Sequence, residues 1–206
     1  MRCVVAALLA LMLASCEAPV GPVATEHEFG SWIAEESGRA ERFARFEAAL
    51  RNANVADVVP AYDLWMMDRL RRRCMRALFV EPPEESWDNI VATLRFIRDH
   101  VEPAVGEVRV VSAYRDEAFN VCVGGARASA HRGFYAVDLI PMDRRVTRES
   151  LIETLCSIHA REGPRWRVGL GIYRARRFHI DTRRYRGWGE DFQRATFPCE
   201  APEPAG

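Results

Sequence analysis

Residues 112–141 read S-A-Y-R-D-E-A-F-N-V-C-V-G-G-A-R-A-S-A-H-R-G-F-Y-A-V-D-L-I-P, and the texture of this stretch changes twice along its length. Residues 115–122 have a helical pattern that stops at the glycine pair Gly124-Gly125, and a loop rich in small residues then leads through Ser129 and His131 into the run 134–140. In that run a strand puts Ala136 and Asp138 on one face and Val137 and Leu139 on the other. A carboxylate on one face of a strand whose other face is apolar marks a boundary between core and polar chemistry. Forty residues on, R-F-H-I-D (177–181) repeats the device, with Arg177, His179 and Asp181 on one face and Phe178 and Ile180 on the other.

Working outward, V-R-V-V-S (108–112) and R-V-G-L-G-I-Y (167–173) are further β-branched runs and read as strands. Residues 148–161 read as a helix, and E-S-W-D-N-I-V-A-T-L-R-F-I-R-D-H (85–100) places Trp87, Ile90, Leu94 and Ile97 at three- and four-residue steps, the spacing of a buried helix face. The chain is therefore expected to be α+β, a small, mainly antiparallel sheet flanked by helices. Before the Pro82-Pro83 break lies an N-terminal helical segment, 29–80, with one helix expected over 61–78; its R-R-R run reads as a solvated face. Residues 84–200 form the expected catalytic domain, and the Pro- and Gly-bearing stretch 16–28 reads as a tether.

The first fifteen residues set the compartment. Arg2 precedes an apolar run, 4–13, too short to span a bilayer but suited to a signal-peptide core. The run ends in L-A-S-C (13–16), which resembles a bacterial lipobox, with Cys16 as the lipidated residue; an ordinary secretory signal is the alternative. Either reading takes the chain out of the cytoplasm, and the first makes it a membrane lipoprotein facing the periplasm. Twenty-nine basic residues, all arginine, balance twenty-nine acidic ones, which argues against a nucleic-acid partner. Cys74, Cys122, Cys156 and Cys199 suit two disulfides in an oxidising compartment, with three pairings open. His27, His100 and His159 read as surface or helix-end residues, and a monomer is expected.

The motifs S-x-Y-R (112–115), N-x-x-V-G-G-A (120–126, read with Val123), S-x-H (129–131) with Asp138 seven residues after His131, and G-x-G-x-Y (169–173) leading into F-H-x-D (178–181) are present in that order. Together they resemble the zinc D-Ala-D-Ala carboxypeptidases and murein endopeptidases of the Hedgehog/DD-peptidase fold, over roughly residues 84–190. That resemblance implies Zn²⁺ held by His131, Asp138 and His179, a set that leaves a fourth position for water. It also implies that Arg115 is a catalytic and substrate-binding arginine able to grip a peptide carboxylate, with Ser129 near the polar end of the substrate.

Two departures shape the functional expectation. Gly133 falls two residues after the first histidine rather than three, and Arg176 and Arg177 stand where carboxypeptidase-type relatives carry a Glu or His as general base. Arginine stays protonated and cannot act as a base. Asp181 is then the catalytic candidate, either taking a proton or orienting His179, and Arg177 is read as facing a substrate carboxylate or the developing oxyanion. The expected function is zinc-dependent hydrolysis of peptidoglycan stem peptides or cross-links, endopeptidase favoured over carboxypeptidase. The rivals are a non-catalytic peptidoglycan-binding lipoprotein that retains the zinc site, and an envelope lipoprotein that uses the histidines structurally or stores zinc.

Overall fold

A computed structural model describes residues 24–199. The lipobox cysteine Cys16, the signal segment and most of the tether lie outside them. The first helix, α1 (Glu26–Ala34), begins inside the stretch read as a tether because Thr25 and Glu28 cap it reciprocally. It is followed by α2 (Arg39–Asn52), α3 (Ala61–Leu64), α4 (Trp87–Phe96) and α5 (Glu102–Val105), with a π-helical turn, Ile97–Val101, joining the last two. Strand β1 (Val108–Ser112), helix α6 (Glu117–Cys122), strand β2 (Ala136–Pro141), helix α7 (Arg148–Trp166) and strands β3 (Gly169–Ile172), β4 (Phe178–Asp181) and β5 (Arg186–Trp188) complete the order.

The five strands form one sheet in the order β1-β2-β4-β3-β5. Its pairings are antiparallel except β3 with β5, so the α+β reading and the mainly antiparallel sheet stand. The register sets Asp138 opposite both Ser112 and His179, and Gly171 on the far side of His179. Period-two alternation then sorts the sheet: Val137, Leu139, Leu170, Ile172, Phe178 and Ile180 are all at most 3% exposed and belong to the apolar core, against which α4 and α7 pack. The opposite face carries the polar residues. Strand β5 has no counterpart in the sequence reading; it is three half-buried residues with no alternation to see.

The N-terminal helices share this core. Phe29, Phe43, Phe46 and Trp65 form a chain of tilted and edge-on ring contacts, and Phe46 reaches Phe134, just before β2, at 6.0 Å between ring centroids. Beyond α3, however, the helix expected over 61–78 does not form. Residues 63–68 are all buried, which no one-sided helix permits, and the chain instead makes a short antiparallel bridge, Met66 with Phe79. Met67 N donates to Leu78 O and Val80 N to Trp65 O, each at 2.8 Å. The intervening loop is a strap: Asp68 caps a short 3-10 turn at Arg69–Arg72, and Met75 has a left-handed φ of 51°.

Among the described residues there are two disulfides, Cys74–Cys122 and Cys156–Cys199. The first ties the strap to α6, and an Arg76–Asp116 ion pair runs beside it. His27 is exposed, as read from sequence. His159 is not: it is 5% exposed, its Nε2 lies 3.1 Å from Val168 O, and it stacks on Tyr185. It falls on the buried face of α7, one turn after Leu155 and beside Ile158.

Asp63 on α3 is the buried carboxylate that the fold tolerates least. It is 3% exposed, and its Oδ1 has no partner among the described residues. Burial pushes its carboxyl up to about 6 against the attraction of Arg109. Because the folded chain holds this proton above the ordinary 3.8, the contribution of Asp63 to stability is present at low pH and lost as the pH rises through 6. Asp63→Asn is therefore expected to raise the melting temperature by a few degrees at pH 8, with the gain over the parent shrinking toward pH 4; paired thermal scans across that range measure it.

Candidate metal centre

His131, Asp138 and His179 come from three different elements and meet on the polar face of the sheet. His131 lies in a 3-10 turn, Ala130–Gly133, whose carbonyl at His131 accepts from Arg115 N at 3.2 Å. Asp138 is on β2 and His179 on its neighbour β4. All three are buried, and one ligand atom from each lies within 4.8 Å of the others.

Each imidazole is held by its far nitrogen. Nδ1 of His131 is 2.6 Å from the Ala113 carbonyl, which can only accept, so Nδ1 carries the hydrogen and Nε2 turns its lone pair toward Asp138 Oδ1, 3.3 Å away. In His179 the roles reverse: Nε2 is 2.9 Å from Asp181 Oδ2 and Nδ1 is 2.9 Å from Asp138 Oδ1. Two imidazole nitrogens and one carboxylate oxygen thus face one point, each backed by a polar partner, which is the donor set and support that a divalent cation such as zinc requires. These residues fit the ion.

The electrostatics of the metal-free arrangement are consistent with that fit. Burial and the nearby Arg115 push His131 down to about 4, against the pull of Asp138. Burial opposes the charge on His179 too, yet its hydrogen bonds to Asp138 and Asp181 outweigh this and raise it. Burial disfavours the Asp138 carboxylate, but His131 and Arg177 more than compensate and hold it well below the usual range. A proton between His179 and Asp138 occupies the place where a cation would bind, so metal and proton compete there.

Around this centre the other residues singled out from sequence take distinct positions. Arg115 donates from Nε to Ser112 Oγ and from Nη2 to Asp138 Oδ2, both at 3.0 Å. Arg177 donates to the same Asp138 oxygen and to Asp68 Oδ2 at 3.2 Å. Ser129 precedes the 3-10 turn without capping it through its side chain. Asp181 is fully buried and engaged on both oxygens: by His179, by the Arg183 backbone N–H at 3.0 Å, and by both terminal nitrogens of Arg186 at 2.7 and 3.0 Å. Against the cost of burial, those partners hold its carboxyl down at about 2.

The glycines of G-x-G-x-Y now have a reason. A Cβ on Gly171 would lie 2.6 Å from the Trp188 indole, and one on Gly169 would meet the Asp181–Arg186 pair. Bare backbone on β3 is what lets Trp188 and this pair approach, and Trp188 in turn lies against His179 at 4.9 Å between ring centroids. Tyr173, from the same motif, is pushed up by burial and by Asp138, with a compensating hydrogen bond to Trp188, so its phenol stays protonated. Sequence reasoning gave no role to Tyr173, Arg186, Trp188 or Asp68. Tyr173 was visible in a motif, whereas Asp68 was hidden in a stretch read as helix.

A model of the peptidase M15 family, described as "Peptidase M15", matches residues 61–181, more than half of the chain. An α+β protein with a buried His-Asp-His cluster is in keeping with a metallopeptidase. The chain belongs to the M15 peptidases, a family of the zinc D-Ala-D-Ala carboxypeptidase type. The match starts at Ala61 and so takes in the strap. No curated protein and no solved structure matches the chain.

Removing Asp181 would leave the Arg186 guanidinium and His179 Nε2 without their buried partner. Asp181→Ala is expected to destabilise the metal-free protein by about 3 kcal/mol. Its zinc affinity is expected to fall by roughly tenfold or more. Urea unfolding in chelator and zinc competition measure the two separately.

Proposed function

We propose that the chain is a zinc-dependent peptidase that hydrolyses stem peptides or cross-links of peptidoglycan, on a fold of the Hedgehog/DD-peptidase type. The observation that carries the reading is the buried convergence of His131, Asp138 and His179 in an M15 family chain. Zinc bound by these three residues would supply Lewis acidity at the scissile carbonyl and an acidified water. The protein's own contribution is placement. Ala113 and Asp181 fix the two imidazoles, and Arg115 and Arg177 fix the outer oxygen of Asp138.

Asp181 takes the orienting role rather than that of the base, since each of its oxygens already accepts from two donors. Arg115, at 14% side-chain exposure, and Arg177, at 27%, still reach solvent and can meet a substrate carboxylate. The protonated phenol of Tyr173, whose ring lies near the Arg177 guanidinium, would offer a donor to a substrate held there. Arginines at 176 and 177, in place of a Glu or His, favour an endopeptidase over a carboxypeptidase. Lipid on Cys16 would hold the enzyme in the bacterial envelope against its polymeric substrate.

The fully engaged Asp181 also favours one alternative, a wall-binding lipoprotein that retains zinc without turnover. Incubation of purified peptidoglycan with the protein separates the two. Muropeptide analysis is expected to show cleaved peptide bonds with zinc and none with chelator or with His131→Ala; intact muropeptides despite bound zinc would establish the binding protein instead.

A further inference from the structure

The strap between Trp65 and Val80 brings a carboxylate, Asp68, against Arg177. Asp68 is 3% exposed. Its Oδ1 accepts from Leu70 N at 2.8 Å, and its Oδ2 accepts from Arg177 Nη2 at 3.2 Å. The same Nη2 donates to Asp138 Oδ2, so its two hydrogens fork between two carboxylates. The Nε of Arg177 is buried and has no partner among the described residues, which leaves Nη2 as the atom that ties this guanidinium down on the polar face.

A guanidinium facing one carboxylate, with no second acceptor to hold it, commonly closes on both oxygens in a bidentate fork. Here that closure would occupy Asp138 Oδ1, the oxygen turned toward both histidines. We infer that Asp68 is a positioning residue of the metal centre: by holding one hydrogen of Arg177 Nη2, it keeps this arginine on Oδ2 alone and leaves Asp138 Oδ1 free for the cation. The inference rests on the reading of His131, Asp138 and His179 as zinc ligands. Asp68 can do this because its own position is fixed three ways, by the Met66–Phe79 bridge, the Cys74–Cys122 disulfide and the Arg76–Asp116 pair. The N-terminal segment, on this account, completes the site.

Zinc affinity of the full chain, measured by competition with a chromophoric chelator, tests this. The variants are Asp68→Asn and Asp68→Ser, each of which keeps an acceptor for Leu70 N while removing the charge, together with Arg177→Gln and Asp68→Asn/Arg177→Gln. Both Asp68 variants are expected to bind zinc about tenfold more weakly, the size of effect typical of an outer partner of a metal ligand. In the Arg177→Gln background, where no fork can close, Asp68→Asn is expected to change affinity little, and the double variant should bind more tightly than Asp68→Asn alone. Wild-type affinity in the Asp68 variants, or an equal loss with and without Arg177, would overturn the inference and leave the zinc reading standing. A wild-type protein that binds no zinc would overturn both.

Discussion

The Asp138 carboxylate is the group around which the rest of the molecule is organised. At 1% exposure it is among the costliest side chains to bury, and a lone carboxylate there would neutralise itself or unfold its surroundings. Two imidazoles and two guanidiniums meet it, one oxygen receiving each kind. Every element that brings such a partner is held in place by something else: β4 by the sheet register, the His131 turn by the Ala113 and Arg115 backbone, and Arg177 by the strap. The topology of the polar face can be read as the solution to one electrostatic problem.

The charge arrangement also distinguishes fold support from chemistry. Arg115 and Arg177 are read most simply from sequence as substrate clamps, yet both already have a carboxylate partner. Their side chains retain some exposure, so steadying Asp138 leaves part of each guanidinium open to solvent. An arrangement built this way is preorganised, because its charges are fixed by the fold's own hydrogen bonds.

Much of this was legible in the sequence, for a physical reason. Strands bury one face, so a polar residue on the wrong side of an apolar alternation announces itself; Asp138, His179 and Asp181 all did. The two disulfides followed from composition, though not their pairing, since spacing does not determine which loops meet. What stayed hidden depended on contacts between distant segments. Residues 63–68 look helical by composition but are buried on every side, and only the neighbouring strap strand, Phe79, and α6 explain their conformation. Trp188 and Arg186 lie on a strand too short to show alternation, and their importance comes from the bare glycines opposite them.

The link from β4 to β5 is short and pinned at both ends. In four residues the chain passes from Asp181 across the end of β3 to Arg186, and Asp181 fastens that crossing through the Arg183 backbone and the Arg186 guanidinium while also steadying His179. The imidazole on β4 is therefore secured by a residue that leaves the ribosome after it. His131 and Asp138 both precede it, and neither is tied to the edge strand in this way. The support behind this imidazole thus comes last along the chain, from the edge strand rather than from the elements that precede it.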